Sequence, residues 1–326
     1  MDNGSLKRKK LKLTDVDLLT QDLKNNYNEF LNAEIGFWYS MNVTLKSYAK
    51  LPLNYKIHAF LEHGVMLTDY VEDSFRADKY LPSIVSSKYR VNILKKEKTF
   101  NGAYAIGPYI HYAQPLLDKN QYKIEKEQLG KTLLVFPSHS TEAYISKFDY
   151  EGFCNEIKKY SDDFDSVRIC LYYKDIQLNR HKFYQKNGFE VVTAGHANDY
   201  YFMPRLRSII ELSDMTMSND IGSHLGYCIY LNKPYFLDLN YTYEVDPTDT
   251  SAKLLKKNDN AKQIYNLFSH FDEKINKSQF ELISYLWGFD EVKSNTELKK
   301  LIININQNFS WIKYYLSRLS LLKSKF

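Results

Sequence analysis

The chain has 326 residues, enough for two domains of ordinary size, and its composition of 44% hydrophobic and 25% charged residues is that of a soluble globular protein. The net charge of +5 fits phosphate-bearing substrates or an anionic surface, but it is too small to indicate nucleic-acid binding by itself. The three cysteines lie far apart, which excludes a disulfide framework and a zinc-binding spacing. We expect no secretory signal and no membrane span, because no apolar run is long enough.

The first part of the chain predicts a helix followed by three strands. Residues 14–31 have a helical pattern after a polar, basic start. The predicted strands are 55–61, 82–87 and 103–112, the last of them interrupted by Gly107-Pro108. We interpret residues 113–130 as a polar linker.

Strands and helices then alternate at short spacing, which indicates a parallel α/β sheet with helices on both faces. Residues 261–326 read as helices. We therefore predict three units, at 1–118, 119–260 and 261–326. The predicted elements of the alternating part are strands at 131–137, 166–173, 189–194, 215–220 and 235–239, and helices at 150–160, 179–187 and 203–212 and after Gly222.

The loop between the strand at 215–220 and the next helix contains Ser218, Asn219, Gly222 and Ser223. Free N–H groups at a helix start favour an anion, and glycine lets a phosphate approach the backbone. Ser and Asn are also ordinary helix caps, so a simple capped helix is the alternative.

Histidines beside small residues at predicted strand ends are the candidate catalytic and ligand-binding groups. His63 precedes Gly64, and His139 lies between Ser138 and Ser140. The near-neutral pKa of imidazole suits a general base, for which we favour His63. Asp69, Glu72 and Asp73 are alternative bases close in sequence.

The order of these features resembles glycosyltransferases of the GT-B type, which have two Rossmann-like domains facing a cleft. A strand with Glu-His-Gly ends the first part, strand-Pro-Ser-His-Ser-Thr opens the second, and Ser-Asn-Asp-x-Gly-Ser precedes a helix with Lys-Pro at its end. Bacterial capsule and lipopolysaccharide transferases are the nearest group, and CDP-glycerol glycerophosphotransferases and UDP-N-acetylglucosamine 2-epimerase are also similar. The resemblance covers residues 55–239.

This resemblance implies a role for each matching position. His63 would be the catalytic residue facing the cleft. Gly195 and His196 would meet the base and ribose of a nucleotide. The remaining predicted donor and phosphate contacts are Ser138, His139, Ser140, Thr141, Ser218, Asn219, Gly222, Ser223 and His224. Additional candidates are Glu62, Asp69, Arg205, Arg207 and Asp220.

We therefore predict a cytoplasmic glycosyltransferase that moves a sugar from a nucleotide-activated donor to a bacterial surface glycan or a lipid-linked glycan. The predicted displacement is inverting, and it needs no metal or cofactor because no Asp-x-Asp motif stands at a strand end. The alternatives are a phospho-polyol transferase, a nucleotide-sugar epimerase, or a non-catalytic subunit that binds glycan or membrane. The aromatic and basic residues after 310 suit peripheral contact with the inner face of the cytoplasmic membrane or packing on the protein.

Overall fold

Two parallel β-sheets with flanking helices form the frame of the molecule. The computed structural model describes residues 7–23, 29–36, 38–71, 81–96, 102–142, 144–242, 254–255 and 257–316. Within these residues one sheet has three strands and the other five, and every strand pair is parallel. The predicted α/β class, with two parallel sheets followed by C-terminal helices, is confirmed.

The smaller sheet is shorter than its sequence pattern predicts. Its strands, in spatial order, are β1 (Phe60–Leu61), β2 (Ser83–Val85) and β3 (Ala103–Ala105). The predicted strand over 55–61 keeps only its last two residues. Ahead of them, side chains take the place of a neighbouring strand, since the Ile57 N–H donates to Glu34 Oε1 at 3.1 Å.

The predicted strand over 103–112 is also wrong in its second half. Gly107 has a φ of 79° and Pro108 follows it, so the chain leaves the sheet and forms a 3₁₀ turn at Tyr109–Tyr112.

The larger sheet follows the predicted strands closely. Its spatial order is β6-β5-β4-β7-β8, so the chain reverses its direction of winding between β4 and β7. In parallel sheets such a reversal opens a crevice at the carboxyl ends of the two central strands. The strands are β4 (Thr132–Phe136), β5 (Ser166–Cys170), β6 (Glu190–Val192), β7 (Met215–Ser218) and β8 (Tyr235–Leu237).

Helices cover both sheets and complete the fold after β8. In chain order the named α-helices are α1 (Val16–Leu19), α2 (Glu29–Asn32), α3 (Met41–Tyr48), α4 (Lys88–Lys96), α5 (Lys119–Leu129), α6 (Tyr150–Ser161), α7 (Tyr173–Gln177), α8 (Arg180–Lys186), α9 (Phe202–Glu211), α10 (Ser223–Tyr230), α11 (Asp259–Phe268), α12 (Lys277–Trp287) and α13 (Asn295–Gln307).

Two of these helices differ from the sequence prediction. α5 occupies the predicted linker, because Asp118 and Gln121 form a capping box that starts a helix there. The predicted helix over 14–31 is present only as α1 and α2, and residues 24–28 lie outside the described residues. The division of the chain at residues 118 and 260 stays a prediction.

The N-terminal segment (residues 7–23) lies on the larger sheet, although it comes first in the chain. The Thr193 N–H donates to Leu13 O at 3.2 Å, and the His196 N–H donates to Leu19 O at 3.0 Å. These bonds extend the edge of the sheet beyond β6, so this segment covers the loop that follows β6.

The C-terminal helices fix the position of α10. The indole of Trp287 in α12 packs against Gly226, where a Cβ would meet its ring atoms at 2.1 Å, and its Nε1 donates to Ser223 O at 3.2 Å. Only glycine fits this contact. None of the helices in the described part of the chain has the length and apolarity needed to cross a bilayer.

Candidate functional site

A cleft forms where loops at the carboxyl ends of the two sheets face each other. His63 and Gly64 follow β1, and α10 begins at Ser223 after β7. Gly64 has a φ of 79°, and a Cβ built on it would lie 3.6 Å from Ser223 Oγ. The loop after β1 therefore approaches the start of α10 closely enough for both to contact one small ligand.

His63 lies among aromatic rings at this cleft. Its ring is 5.0 Å from Trp38 in an edge arrangement and 6.1 Å from Tyr39. The neighbouring Glu62 is buried, and both of its carboxylate oxygens accept from Arg90 Nε at 3.0 Å. Glu62 is thus committed to an internal ion pair, and the half-buried His63 is the titratable group that this loop offers to the cleft.

In the loop after β4, two buried serines brace the loop and the histidine between them is partly exposed. Ser138 and Ser140 are buried: Ser138 Oγ lies 3.0 Å from Ser146 Oγ, and Ser140 Oγ accepts from the Ser146 N–H at 3.0 Å. His139, between them, is only half-buried and meets the Tyr172 ring edge-on at 4.8 Å. The structure therefore places His139 in the cleft and uses the two serines to hold its loop.

The loop after β7 is braced in the same way. The buried Asn219 accepts from the Ser138 N–H at 2.7 Å and donates to Tyr241 O at 2.7 Å. Ser218 Oγ donates to Phe136 O at 2.6 Å. Both side chains join the β4 and β7 loops across the crevice, and neither is placed for direct phosphate contact.

The start of α10 has no side-chain cap in the described residues. Gly222 is its N-cap in an extended conformation. His224 stacks on Phe136 at 4.6 Å, with its Nε2 3.4 Å from Ser218 Oγ. Gly222, Ser223 and His224 are half-buried, whereas Ser218 and Asn219 are buried. Of the phosphate-binding residues predicted after β7, those at the helix start are therefore the more accessible.

His139 and His224 are held neutral. Burial lowers the pKa of His139, against the opposing effect of Asp175. Burial, together with the neighbouring His139, lowers the pKa of His224 to about 3. At neutral pH each imidazole can therefore donate one hydrogen bond and accept another without bringing a positive charge.

The loop predicted to meet the base and ribose is covered. His196 is buried, its backbone N–H donates to Leu19 O, and its ring packs on the Tyr173 ring with the centroids 4.4 Å apart. Gly195 has a φ of 94°, and a Cβ there would approach Arg205 Nη1 at 2.8 Å. The N-terminal segment lies over the loop of Gly195 and His196. A nucleotide base would therefore reach this loop at the edge of the N-terminal segment.

The two predicted arginines are used inside the fold. Arg205 is fully buried, and its Nη1 donates to Ala194 O at 2.6 Å beside Asp199. Arg207 Nη1 donates to Ala113 O at 2.8 Å, and its Nε pairs with Glu211. The structure therefore gives neither guanidinium a route to a phosphate at the start of α10.

The remaining candidates lie at the margins of the cleft. Thr141 Oγ1 accepts from the Tyr144 N–H at 3.3 Å, and Asp220 Oδ1 accepts from the Ile221 N–H at 2.7 Å. Asp69 is exposed. Their roles stay predictions. The alternative bases Glu72 and Asp73 lie outside the described residues.

Tyr39 is the cleft residue that sequence reasoning missed. Its ring touches His63, and its hydroxyl lies 3.0 Å from the Tyr172 hydroxyl. Residues 34–51 carry no clear periodicity, so only the fold brings Tyr39 to a site whose other members come from strand ends.

No group of three or more His, Cys, Asp or Glu residues arranged to hold a metal ion occurs among the described residues.

Comparisons with known proteins find similarity among solved structures. No family model matches the chain, and no curated protein matches it either. Among solved structures it is similar to the wall teichoic acid polymerase TagF, with a TM-score of 0.42 and 13% identity over 77% of this chain and 68% of that chain. Anabaena HepE in complex with UDP-glucose gives a TM-score of 0.33 and 10% identity over 82% of this chain and 72% of that one.

A third similar structure is UDP-GlcNAc 2-epimerase from Neisseria meningitidis bound to UDP-GlcNAc, with a TM-score of 0.34 and 12% identity over 88% of this chain and 84% of that one. Because these TM-scores are below 0.5, the similarity carries no argument about function. The function is therefore inferred from this chain's own residues.

Proposed function

We propose that the protein is a glycosyltransferase that moves a sugar from a nucleotide-activated donor to a hydroxyl of a bacterial surface glycan. The observation that supports this most is the close approach of Gly64, which directly follows His63 after β1, to Ser223 at the start of α10, a helix without a side-chain cap in the described part of the chain. One side offers a candidate base and the other an anion site.

Each side suits one half of the reaction. The acceptor hydroxyl loses its proton to the His63 imidazole while its oxygen forms a bond to the anomeric carbon. The bond from that carbon to the phosphate oxygen breaks, and its electron pair leaves with the nucleotide diphosphate. The N–H groups of Ser223 and His224 and the neutral ring of His139 then stabilise the charge on the departing phosphate. A single displacement of this kind inverts the anomeric centre.

The test is thermal unfolding in the presence of CMP, CDP, UDP, GDP and TDP, each with and without EDTA. A nucleotide that binds only the folded state raises Tm by mass action. We expect one nucleotide to raise Tm in EDTA as well, and Ser223→Glu to abolish the rise by placing a negative charge at the phosphate site. Thr296→Glu is the matched control, because Thr296 is exposed in the first turn of α13, away from the cleft.

The proposal fails if no nucleotide raises Tm, or if Ser223→Glu and Thr296→Glu lose the rise equally.

When a nucleotide does raise Tm, the nucleotide sugar that contains it is incubated with the protein without an acceptor. Isomerisation of the donor under these conditions would replace the transferase by an epimerase.

Nucleotide-sugar binding should depend on pH. A bound diphosphate raises the depressed pKa of His139, so a proton is taken up between the free and bound pKa values of this ring. We therefore expect binding to be about threefold to tenfold tighter at pH 5.5 than at pH 7.5. Isothermal titration with a nucleotide sugar measures this, because its diphosphate does not titrate in that range. Equal affinity at the two pH values would contradict the assignment, and His139→Gln should weaken the dependence.

We also propose peripheral contact with an anionic membrane through residues 311–316. Trp311, Ile312, Tyr315 and Leu316 are 38%, 74%, 43% and 61% exposed, and the sequence that follows carries Arg318, Lys323 and Lys325. Residues 317–326 lie outside the described residues. Trp, Tyr and aliphatic side chains beside cations suit a lipid surface.

We expect the protein to sediment with phosphatidylglycerol vesicles and not with phosphatidylcholine vesicles, and Ile312→Glu to reduce the bound fraction at least fivefold. Ile124→Glu is the control, because Ile124 is 55% exposed on α5. Equal loss in both variants, or no binding by the unmodified protein, would rule out this surface.

A further inference from the structure

The turn that carries Tyr39 is held in an unusual conformation at the cleft. Tyr39 and Ser40 have φ values of 60° and 56°, a left-handed conformation that non-glycine residues rarely adopt. The Tyr39 N–H donates to Ala197 O at 2.7 Å, and Ser40 Oγ accepts from the Met203 N–H at 3.0 Å. This turn is therefore fastened to the larger sheet's side of the molecule, which carries Tyr39 to Tyr172.

Tyr39 and Tyr172 join the two cleft histidines. The Tyr39 ring lies 6.1 Å from His63, and the Tyr172 ring lies 4.8 Å from His139. The two phenol oxygens are 3.0 Å apart. In the proposed reaction the transferred sugar lies between the base, His63, and the leaving phosphate, which His139 helps to stabilise. The Tyr39 and Tyr172 hydroxyls join the surroundings of these two histidines.

A carboxylate holds the neighbouring tyrosine. Tyr173 O–H donates to Glu142 Oε1 at 3.0 Å, and the rings of Tyr172 and Tyr173 lie 4.5 Å apart. Lys174 and Tyr173 lower the pKa of Glu142, so its carboxylate is ionised and only accepts hydrogen bonds. The Tyr173 proton is therefore held by Glu142, and the Tyr39 and Tyr172 hydroxyls form a separate pair beside it.

The pair keeps hydrogen-bonding capacity at the cleft. One of the two hydroxyls donates to the other, so the second O–H and the remaining lone pairs are left for a ligand. A sugar hydroxyl both donates and accepts, so a sugar at this place can use both.

We propose that the hydroxyl pair of Tyr39 and Tyr172 binds the sugar of the donor by hydrogen bonds to its hydroxyls and so distinguishes nucleotide sugars from free nucleotides. This inference rests on the proposed function and adds residues that determine its specificity. It predicts that loss of the Tyr39 or Tyr172 hydroxyl weakens binding of the sugar and leaves binding of the nucleotide intact.

The experiment compares Kd values by isothermal titration for UDP with UDP-glucose, GDP with GDP-mannose, and TDP with TDP-glucose. We expect Tyr39→Phe and Tyr172→Phe to weaken the nucleotide sugar about fivefold to tenfold and the free nucleotide by less than about twofold. Phenylalanine keeps the ring contacts with His63 and Phe202, so packing is preserved. The control is Tyr230→Phe, whose hydroxyl bonds His111 Nδ1 at 2.5 Å.

The outcomes separate this inference from the function on which it rests. If the unmodified protein binds neither free nucleotides nor nucleotide sugars, the proposed function fails and the inference fails with it. If free nucleotides bind, but the two variants weaken both ligands equally or neither ligand, only the inference is overturned. A selective loss for the nucleotide sugar that Tyr230→Phe does not reproduce supports a role for the hydroxyl pair in binding the sugar.

Discussion

Replacing His63 with alanine is expected to lower the rate of sugar transfer by about a hundredfold to ten-thousandfold, the range for loss of a general base. His63 follows β1 and contacts Trp38 and Tyr39 in the cleft, while the nucleotide would be bound mainly from the other side, at the start of α10. The affinity for the nucleotide should therefore change by less than about twofold. Transfer is measured as release of the nucleotide diphosphate at saturating donor, and binding by titration.

A control histidine separates this effect from general damage. His270 is exposed, so His270→Ala should keep both rate and binding. If His63→Ala retains more than about a tenth of the rate, the base is another group, and Asp69 is the next residue to replace. If the variant loses nucleotide affinity as well, His63 acts in the architecture of the cleft.

Replacing Arg90 with methionine is expected to destabilise the protein by about 3 to 5 kcal/mol, because it leaves a buried carboxylate without its partner. Arg90 and Glu62 are 2% and 3% exposed, and Arg90 Nε lies 3.0 Å from both Glu62 oxygens. Arg90 Nη1 also donates to Tyr70 O at 3.0 Å. Urea unfolding measures the change in the free energy of unfolding.

Two further variants make this prediction specific to the buried charge. The double variant Glu62→Leu with Arg90→Met removes both charges and should recover most of the lost stability. Lys88→Met removes an exposed partner of Glu291 from the same helix and should change the free energy of unfolding far less than Arg90→Met does, because an exposed ion pair contributes little. If the double variant is as unstable as Arg90→Met alone, the loss comes from packing and the hydrogen bond to Tyr70. Because Glu62 precedes His63, the rate of transfer in the double variant also shows whether this pair positions the base.

The larger sheet was predictable because its strands carry their signal locally. β4 and β7 are continuous apolar runs followed by small polar residues, and α8 ends before Gly188, a glycine with a φ of 89°. The smaller sheet was overestimated, because Ile57 and His58 bond to the side chains of Glu34 and Asn306 in place of a neighbouring strand. α5 was missed because its capping box stands in a polar stretch that buries none of the helix residues.

The sequence by itself determined the order of strands, the loops at their ends and the histidines in those loops, since these depend on periodicity and on neighbours a few residues apart. Only the tertiary structure decided which of these residues face the cleft. The side chains of Ser218 and Asn219 turn inward because each has a hydrogen-bond partner in a distant strand or loop, and that of Ser138 because it meets Ser146 eight residues along its own loop. Tyr39 reached Tyr172, 133 residues away, because its turn is anchored on the other half of the molecule. Burial and long-range pairing are properties of the packed chain, and no local pattern encodes them.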